Sequence, residues 1–239
     1  MLALRHLLFL TALGGALPSW AGAQDDPDRG VAGGGSLPPG WRAQTDWSPR
    51  TNQAPPLDNV KFVTMGGGYH ATMGPAAIFW RDVDTVSGAY HVVASLTQTK
   101  NPQHPEAFGI FIGGRDLAGE GQAYTYLLVR PFDGKFSIRR RAGQKTRPTA
   151  LVEWTAHEAV VKADSATGRA TNELAILVRS GRVSFLVNGT EVHGAPAAAL
   201  DTAGLVGYRV NHNLDVHLGP IGIHRLGSPD TGGGRDGVR

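Results

Sequence analysis

The chain has 239 residues, 41% of them hydrophobic, a formal net charge of +3 and no cysteine. This is long and apolar enough for one substantial core, which excludes a disordered chain, and without cysteine there can be neither a disulfide nor lipid attachment at a cysteine. The weak charge balance argues against nucleic acid or an anionic membrane as partner, and 33 glycines with 15 prolines predict many turns.

At the N-terminus, Arg5 and His6 precede the apolar run Leu7 to Leu17, Pro18 breaks it, and Ala21-Gly22-Ala23 has the small-x-small form of a cleavage site. This predicts a signal peptide over 1–23, cut after Ala23, and an exported, periplasmic or extracellular chain that is not a lipoprotein. Removing Arg5 takes the formal charge from +3 to +2. No later apolar run is long enough for a transmembrane segment. The absence of cysteine in an exported chain leans toward a bacterium. Residues 24–39 (QDDPDRGVAGGGSLPP) predict a flexible linker, 40–226 a single domain, and 227–239 (GSPDTGGGRDGVR) a disordered tail.

Within the domain, Trp41 and Trp47 are expected to pack on the body. Strands are predicted over 60–65, 69–73, 77–81 and 89–97, the last with Tyr90, Val92, Ala94 and Leu96 on one face. Residues 107–112 form a near-continuous apolar strand, of the kind covered on both faces. Strands 124–130 and 135–141 are joined through Pro131-Phe132-Asp133-Gly134, a hairpin with an Asp-Gly turn. A short strand is predicted over 151–155. The clearest pattern is NELAILVRSGRVSFLVNGTEVH, residues 172–193. Leu174, Ile176 and Val178 face one way, Val183, Phe185 and Val187 continue that face after Ser180-Gly181, and Asn188-Gly189 turns the chain again. Pro196 to Leu200 suggests one helical turn, 205–210 and 214–218 a further strand pair, and 221–224 a closing strand. More than ten short strands with almost no helical periodicity predict an all-β, antiparallel two-sheet β-sandwich of jelly-roll type, with a closed barrel as the competitor.

The patterns NELAILVRSGRVSFLVNGTEV and GLVGYRVNHNLDVHLGPIGI resemble the last strands of concanavalin A-like lectin/glucanase sandwiches, including laminin G-like domains. The block AFGIFIGGRDLAGEGQAYTYLLVRPFDGKFSIRRRAG resembles a bacterial exported group of that fold, which includes the 3-keto-disaccharide hydrolase-type domain. The resemblance spans about residues 77–226 and implies a concanavalin A-like sandwich. It implies no single activity, because the fold hosts lectins, glycosidases and interaction modules.

A glycosidase needs two carboxyl groups across a cleft. The Glu-x-Asp-x-Glu strand of glucanases is missing, and the nearest pair, Asp82 and Asp84, shares one side of a strand just before a turn, where capping or solvation accounts for it. For metals, Asp215 and His217 share a strand face; on one continuous strand His212 would point away, whereas a turn at Asn211 to Asn213 would leave its side open, and one carboxylate with one imidazole is too few ligands for a zinc site. Calcium is possible in a lectin-like sandwich, but Asp116 and Glu120 lack the spacing of a calcium loop. No cofactor is expected. The triplet Arg139-Arg140-Arg141 places Arg139 and Arg141 on one face and Arg140 on the other; a solvated strand, or an edge strand carrying charge against aggregation, accounts for it better than an anion site. For a glycan, aromatic faces and planar polar groups are needed. The candidates are Tyr124 and Tyr126, which share a face, with Arg115, Asp116, Arg130, Asn211, His212 and Asn213 at strand ends. Three functions follow: non-covalent recognition of a glycan or other polymer, a glycoside hydrolase-type enzyme, or an envelope module that binds protein.

Overall fold

The computed structural model describes residues 28–227. The predicted signal peptide, the start of the linker and the tail beyond Gly227 lie outside the described residues. The elements are β1 (Trp41–Thr45), β2 (Val60–Met65), β3 (Gly68–Met73), β4 (Ala77–Val86), β5 (Tyr90–Gln98), β6 (Phe108–Arg115), β7 (Ala123–Arg130) and β8 (Lys135–Ala142). They continue with β9 (Thr149–Ala156), β10 (Ala170–Arg179), β11 (Arg182–Val187), β12 (Thr190–Pro196), β13 (Gly204–Val210), β14 (Asp215–Leu218) and β15 (Gly222–Arg225). A 3₁₀ turn at Ala197–Ala199 is the helical turn expected there.

These strands form two antiparallel sheets. One has seven strands in the order β1-β4-β13-β6-β7-β8-β9. The other runs β12-β11-β10-β5-β14-β3-β2, with β15 added beside β5. Both sheets are open, so the molecule is a jelly-roll sandwich and not a barrel. The alternation predicted for residues 172–193 holds: Leu174, Ile176, Val178, Val183, Phe185 and Val187 all enter the layer between the sheets, in register Leu174↔Val187 and Ile176↔Phe185. The turns at Ser180-Gly181 and Asn188-Gly189 have positive φ at both residues, as a two-residue hairpin turn of type I′ requires. Strand β6 is buried from Phe108 to Gly114, covered on both faces as its apolar run predicted.

Four expectations change. The segments 205–210 and 214–218 are not a pair: β13 belongs to the seven-stranded sheet and β14 to the other, and Asn211-His212-Asn213 carries the chain across. Asn213 takes a φ of 56° in that crossover. Strand β8 is not an edge: it lies between β7 and β9. Residues 28–39, assigned to the linker, lie on the sandwich from Asp28 onward. Arg29 donates to the Met73 and Leu214 carbonyls at 2.8 and 2.7 Å and to Asp215 Oδ2 at 2.6 Å, and Leu37 packs against the core. A guanidinium with three acceptors holds a glycine-rich segment that composition alone would leave free. Lastly, the capping or solvated role expected for Asp82 and Asp84 holds for exposed Asp82 and not for Asp84, which is buried. Asp82 accepts from the Trp80 indole and Arg42, whereas buried Asp84 is paired with Arg81.

One polar residue is fully enclosed where the sheets meet the 157–163 loop. Asn172 Oδ1 accepts from the Val161 N–H at 2.8 Å, and its Nδ2 donates to the Val161 carbonyl at 3.1 Å. Asn188 Nδ2 also donates to Asn172 Oδ1, at 2.9 Å. Replacing Asn172 by alanine strands both backbone groups, and is expected to cost about 2 kcal/mol. Urea denaturation checks this; an unchanged midpoint would show that water satisfies the loop instead.

Candidate functional site

The outer face of the seven-stranded sheet carries a second apolar cluster, separate from the main core: Ile78, Trp80, Phe111, Leu117, Tyr124, Tyr126 and Leu128, with Trp154 and Leu205 packed at its margin. An exposed sheet face normally alternates to polar residues, so a second buried layer signals something lying over it. Here that cover is made by chain segments. Leu117 from the β6–β7 loop joins the cluster, and the 46–55 segment crosses to meet the 142–147 loop, where Lys145 sits over the Trp47 ring at 4.7 Å.

The cover is fastened by charge. Asp46 receives both guanidinium nitrogens of Arg209, at 2.6 and 2.7 Å, and Arg141 at 3.1 Å. Both arginine side chains are only 6% exposed. Arg141 also donates to the Gln144 and Thr146 carbonyls, at 3.1 Å each. Burial works against the Asp46 charge, but Arg209 and Arg141 outweigh it and hold the carboxyl below its ordinary value. Tyr124 and Tyr126, expected to be jointly core or jointly groove, are jointly core. Both are buried, and burial pushes both hydroxyls up. They cannot offer ring faces to a sugar.

The other candidates separate. Asp116 has a φ of 45°, and its Oδ2 accepts from the Gly121 N–H at 2.8 Å, so it builds its own loop. Arg115 is at the far end of β6 from the crossover, paired with Asp201 at 2.8 Å. Asn211 Oδ1 accepts from Arg209 at 3.2 Å. Asn213 Oδ1 accepts from the Arg29 N–H at 2.9 Å, so this residue anchors the N-terminal segment. His212 lies 2.6 Å from the partly buried Glu106 through Nε2 and 3.5 Å from Asp28 through Nδ1. It lines a cleft of about 220 Å³ with Asp28, Asp46, Trp47, Ser48 and Arg50. Asp215 is across the crossover, bonded to Arg29 and Lys100 at 2.6 and 3.0 Å. Burial opposes its charge; hydrogen bonds from His70, Arg29 and Lys100 more than offset this and hold the carboxyl well below the usual range. Among the described residues no group of three or more His, Asp or Glu converges on a metal position.

At the β7–β9 end of this face Trp154, Arg130 and Arg139 are partly exposed. Strand β9 is bulged: Val152 pairs Ile138 and Thr155 pairs Phe136, so Glu153 and Trp154 together oppose the single Ser137. Simple alternation would send Trp154 to the same side as Val152, toward the core. The extra residue turns its indole to the outer face, as bulges do beside binding sites. Arg130 lies over that ring at 4.3 Å and Arg139 at 5.6 Å. Arg130 is fixed by a two-point pairing with Asp133 at 2.9 and 2.7 Å. Arg139 is held by Ser137 Oγ at 3.1 Å and more loosely by Glu153 at 3.5 Å. Of the predicted residues only Arg130 belongs to this platform. Trp154 was visible as an aromatic, but nothing local revealed the bulge that aims it.

The described residues form a two-sheet jelly-roll sandwich, an architecture shared with solved carbohydrate-binding and glucanase structures. No family model matches the chain, and no curated protein matches it in sequence. Solved structures do. The carbohydrate-binding module CBM66 from Bacillus subtilis aligns at a TM-score of 0.52 and 11% identity, over 77% of this chain and 95% of the module. A Bacillus subtilis protein of unknown function with a galectin-like fold aligns at 0.52 and 12%, over 77% and 89%. A family 16 endo-glucanase from Bacteroides ovatus gives 0.53 and 7%, over 77% and 94%. Identities this low establish the shared fold alone.

Proposed function

We propose that the protein is an exported module that recognises a glycan non-covalently on the outer face of its seven-stranded sheet. The observation that carries this reading is the Trp154 platform: a half-buried indole, turned outward by a bulge and flanked by two fixed guanidinium groups. A pyranose ring needs an apolar surface to pack against and planar donors for its hydroxyls, and the half-buried indole with its two guanidinium groups supplies these together. The fold neighbours named as a carbohydrate-binding module and an endo-glucanase support a sugar ligand.

A glycoside hydrolase reading would look to Asp28 and Asp46 in the His212 cleft. Asp46, however, is engaged by two arginines, and Asp28 and Glu106 by His212. Asp46 is thereby committed to an arginine cluster and is not set across the cleft from a second carboxyl as an acid–base pair requires. An envelope module that binds protein would present one apolar patch. The large exposed hydrophobics among the described residues, Met65, Val83, Phe132, Leu151 and Val161, sit on five different segments.

Pull-down of the chain on a panel of insoluble polysaccharides, with calcium and with chelator, tests the proposal. Retention on at least one polysaccharide, equal under the two conditions, is expected. No retention on any of them would overturn it, and release of reducing ends from a glycoside panel would replace it with the enzyme reading.

A further inference from the structure

Three carboxylates of the seven-stranded sheet and its connections are each shared by two cations. Asp46 holds Arg209 and Arg141. Asp133 holds Arg130 at 2.7 Å and Lys135 at 3.1 Å. Asp201 holds Arg115 at 2.8 Å and Arg140 at 2.9 Å. Two cations on one anion leave each trio with one unbalanced positive charge, and the Asp133 trio is the one that lies at the platform.

Protection of a free edge does not account for it. Lys135, Arg139 and Arg141 alternate with the core residues Phe136 and Ile138 along β8, and β8 is an interior strand with no open ladder to guard. At the platform the cations are already ordered: Arg130 and Lys135 by Asp133, Arg139 by Ser137 and the Trp154 ring. Side chains fixed before binding lose little entropy when a ligand arrives. The Arg130 hydrogen bond is also the main reason the Asp133 carboxyl lies below its usual range, so that anchor stays charged. The exception is Glu153, which is 80% exposed and reaches Arg139 only at 3.5 Å. A ligand anion can take its place.

We propose that the Trp154 platform takes an acidic polysaccharide, a sugar packing against the part of the indole that the two arginines leave exposed and an anionic group replacing Glu153 on Arg139, with the Arg130–Asp133–Lys135 trio beside it. The proposal rests on the glycan reading and narrows it to a charge class. Guanidinium recognises carboxylate and sulfate through the same paired N–H geometry, so either anion fits.

The test measures binding of the chain to a polyuronate, a sulfated galactan, a neutral β-glucan and a single-stranded oligonucleotide, at low and at physiological salt. The acidic polysaccharides are expected to bind roughly tenfold more tightly than the neutral one and to weaken as salt rises, because exposed charge pairs are screened. Comparison of the two acidic polymers says which anion is preferred. Glu153→Gln, a change at an exposed side chain, is expected to tighten acidic-glycan binding a few-fold, and Arg139→Gln to weaken it roughly tenfold, an effect of about 1.4 kcal/mol. Preference for the β-glucan would overturn the charge class and leave glycan recognition standing. Failure of all three polysaccharides would remove both. Tighter binding of the oligonucleotide than of any polysaccharide, or an unchanged or weakened affinity in Glu153→Gln, would also overturn the proposal.

Discussion

Replacing Asp46 by alanine is expected to destabilise the protein by about 3 kcal/mol. The residue is the sole carboxylate that Arg209 and Arg141 are shown to share, and both guanidinium groups are almost wholly buried. Removing the carboxylate leaves two cations facing each other in a poorly hydrated layer beside Tyr124. That penalty exceeds the net worth of the pairs when intact. The figure sits at the low end for buried pairs because Asp46 itself remains 29% exposed. The same trio gives a pH dependence of defined sign. The folded-state pKa of Asp46 is depressed, so its contribution is complete above the unfolded value, about 3.9, and is lost as pH falls through the folded value. Denaturant midpoints measured at neutral pH and near pH 3 should therefore converge between wild type and Asp46→Ala on the acid side. A neutral-pH difference below about 0.5 kcal/mol would mean that solvent screens the trio and that the cover over the tyrosines is held by packing.

The second large effect concerns binding. Trp154→Ala is expected to weaken glycan affinity by about 2 kcal/mol, roughly 30-fold in Kd. The indole is the one aromatic ring that the bulge in β9 turns onto the open part of the face, and the two arginines above it lose their support when it goes. Isothermal titration with whichever polysaccharide the panel identifies reads the change, and Tyr124→Phe serves as the comparison, because a buried hydroxyl cannot reach a ligand. Equal affinity in Trp154→Ala and wild type, with Trp154→Ala still folded by circular dichroism, would move the site elsewhere, with the His212 cleft next in line.

Local chemistry made the sandwich legible. Period-two alternation in 90–96 and 172–187 names the residues that enter the inter-sheet layer, the continuous apolar run 107–112 marks a strand covered on both faces, and Ser-Gly, Asp-Gly and Asn-Gly steps place the hairpins, because these signals act within a few residues of chain. They also put Tyr124 and Tyr126 on a common face. They could not say that this face would be roofed over, since the roof comes from Asp46 and Trp47, some eighty residues earlier. Likewise Asn211-His212-Asn213 carries the polar residues of a site, yet it is a crossover between sheets, and strand partnership is a long-range fact that a strand's own sequence does not contain.

By itself, then, the sequence determined the fold class, the core residues and the turns. Only the tertiary structure decided which polar groups are structural and which are presented. Asp116 closes its own loop, Asn213 anchors Arg29, Arg141 is sealed under the sheet's cover, and Arg139, two residues away on the same strand face, stays reachable. The physical reason is that alternation fixes the side of a sheet a residue faces, whereas exposure on that side depends on what distant segments cover it. Trp154 shows this most plainly, because one extra residue in an edge strand, invisible without its partner β8, changes the face the ring occupies.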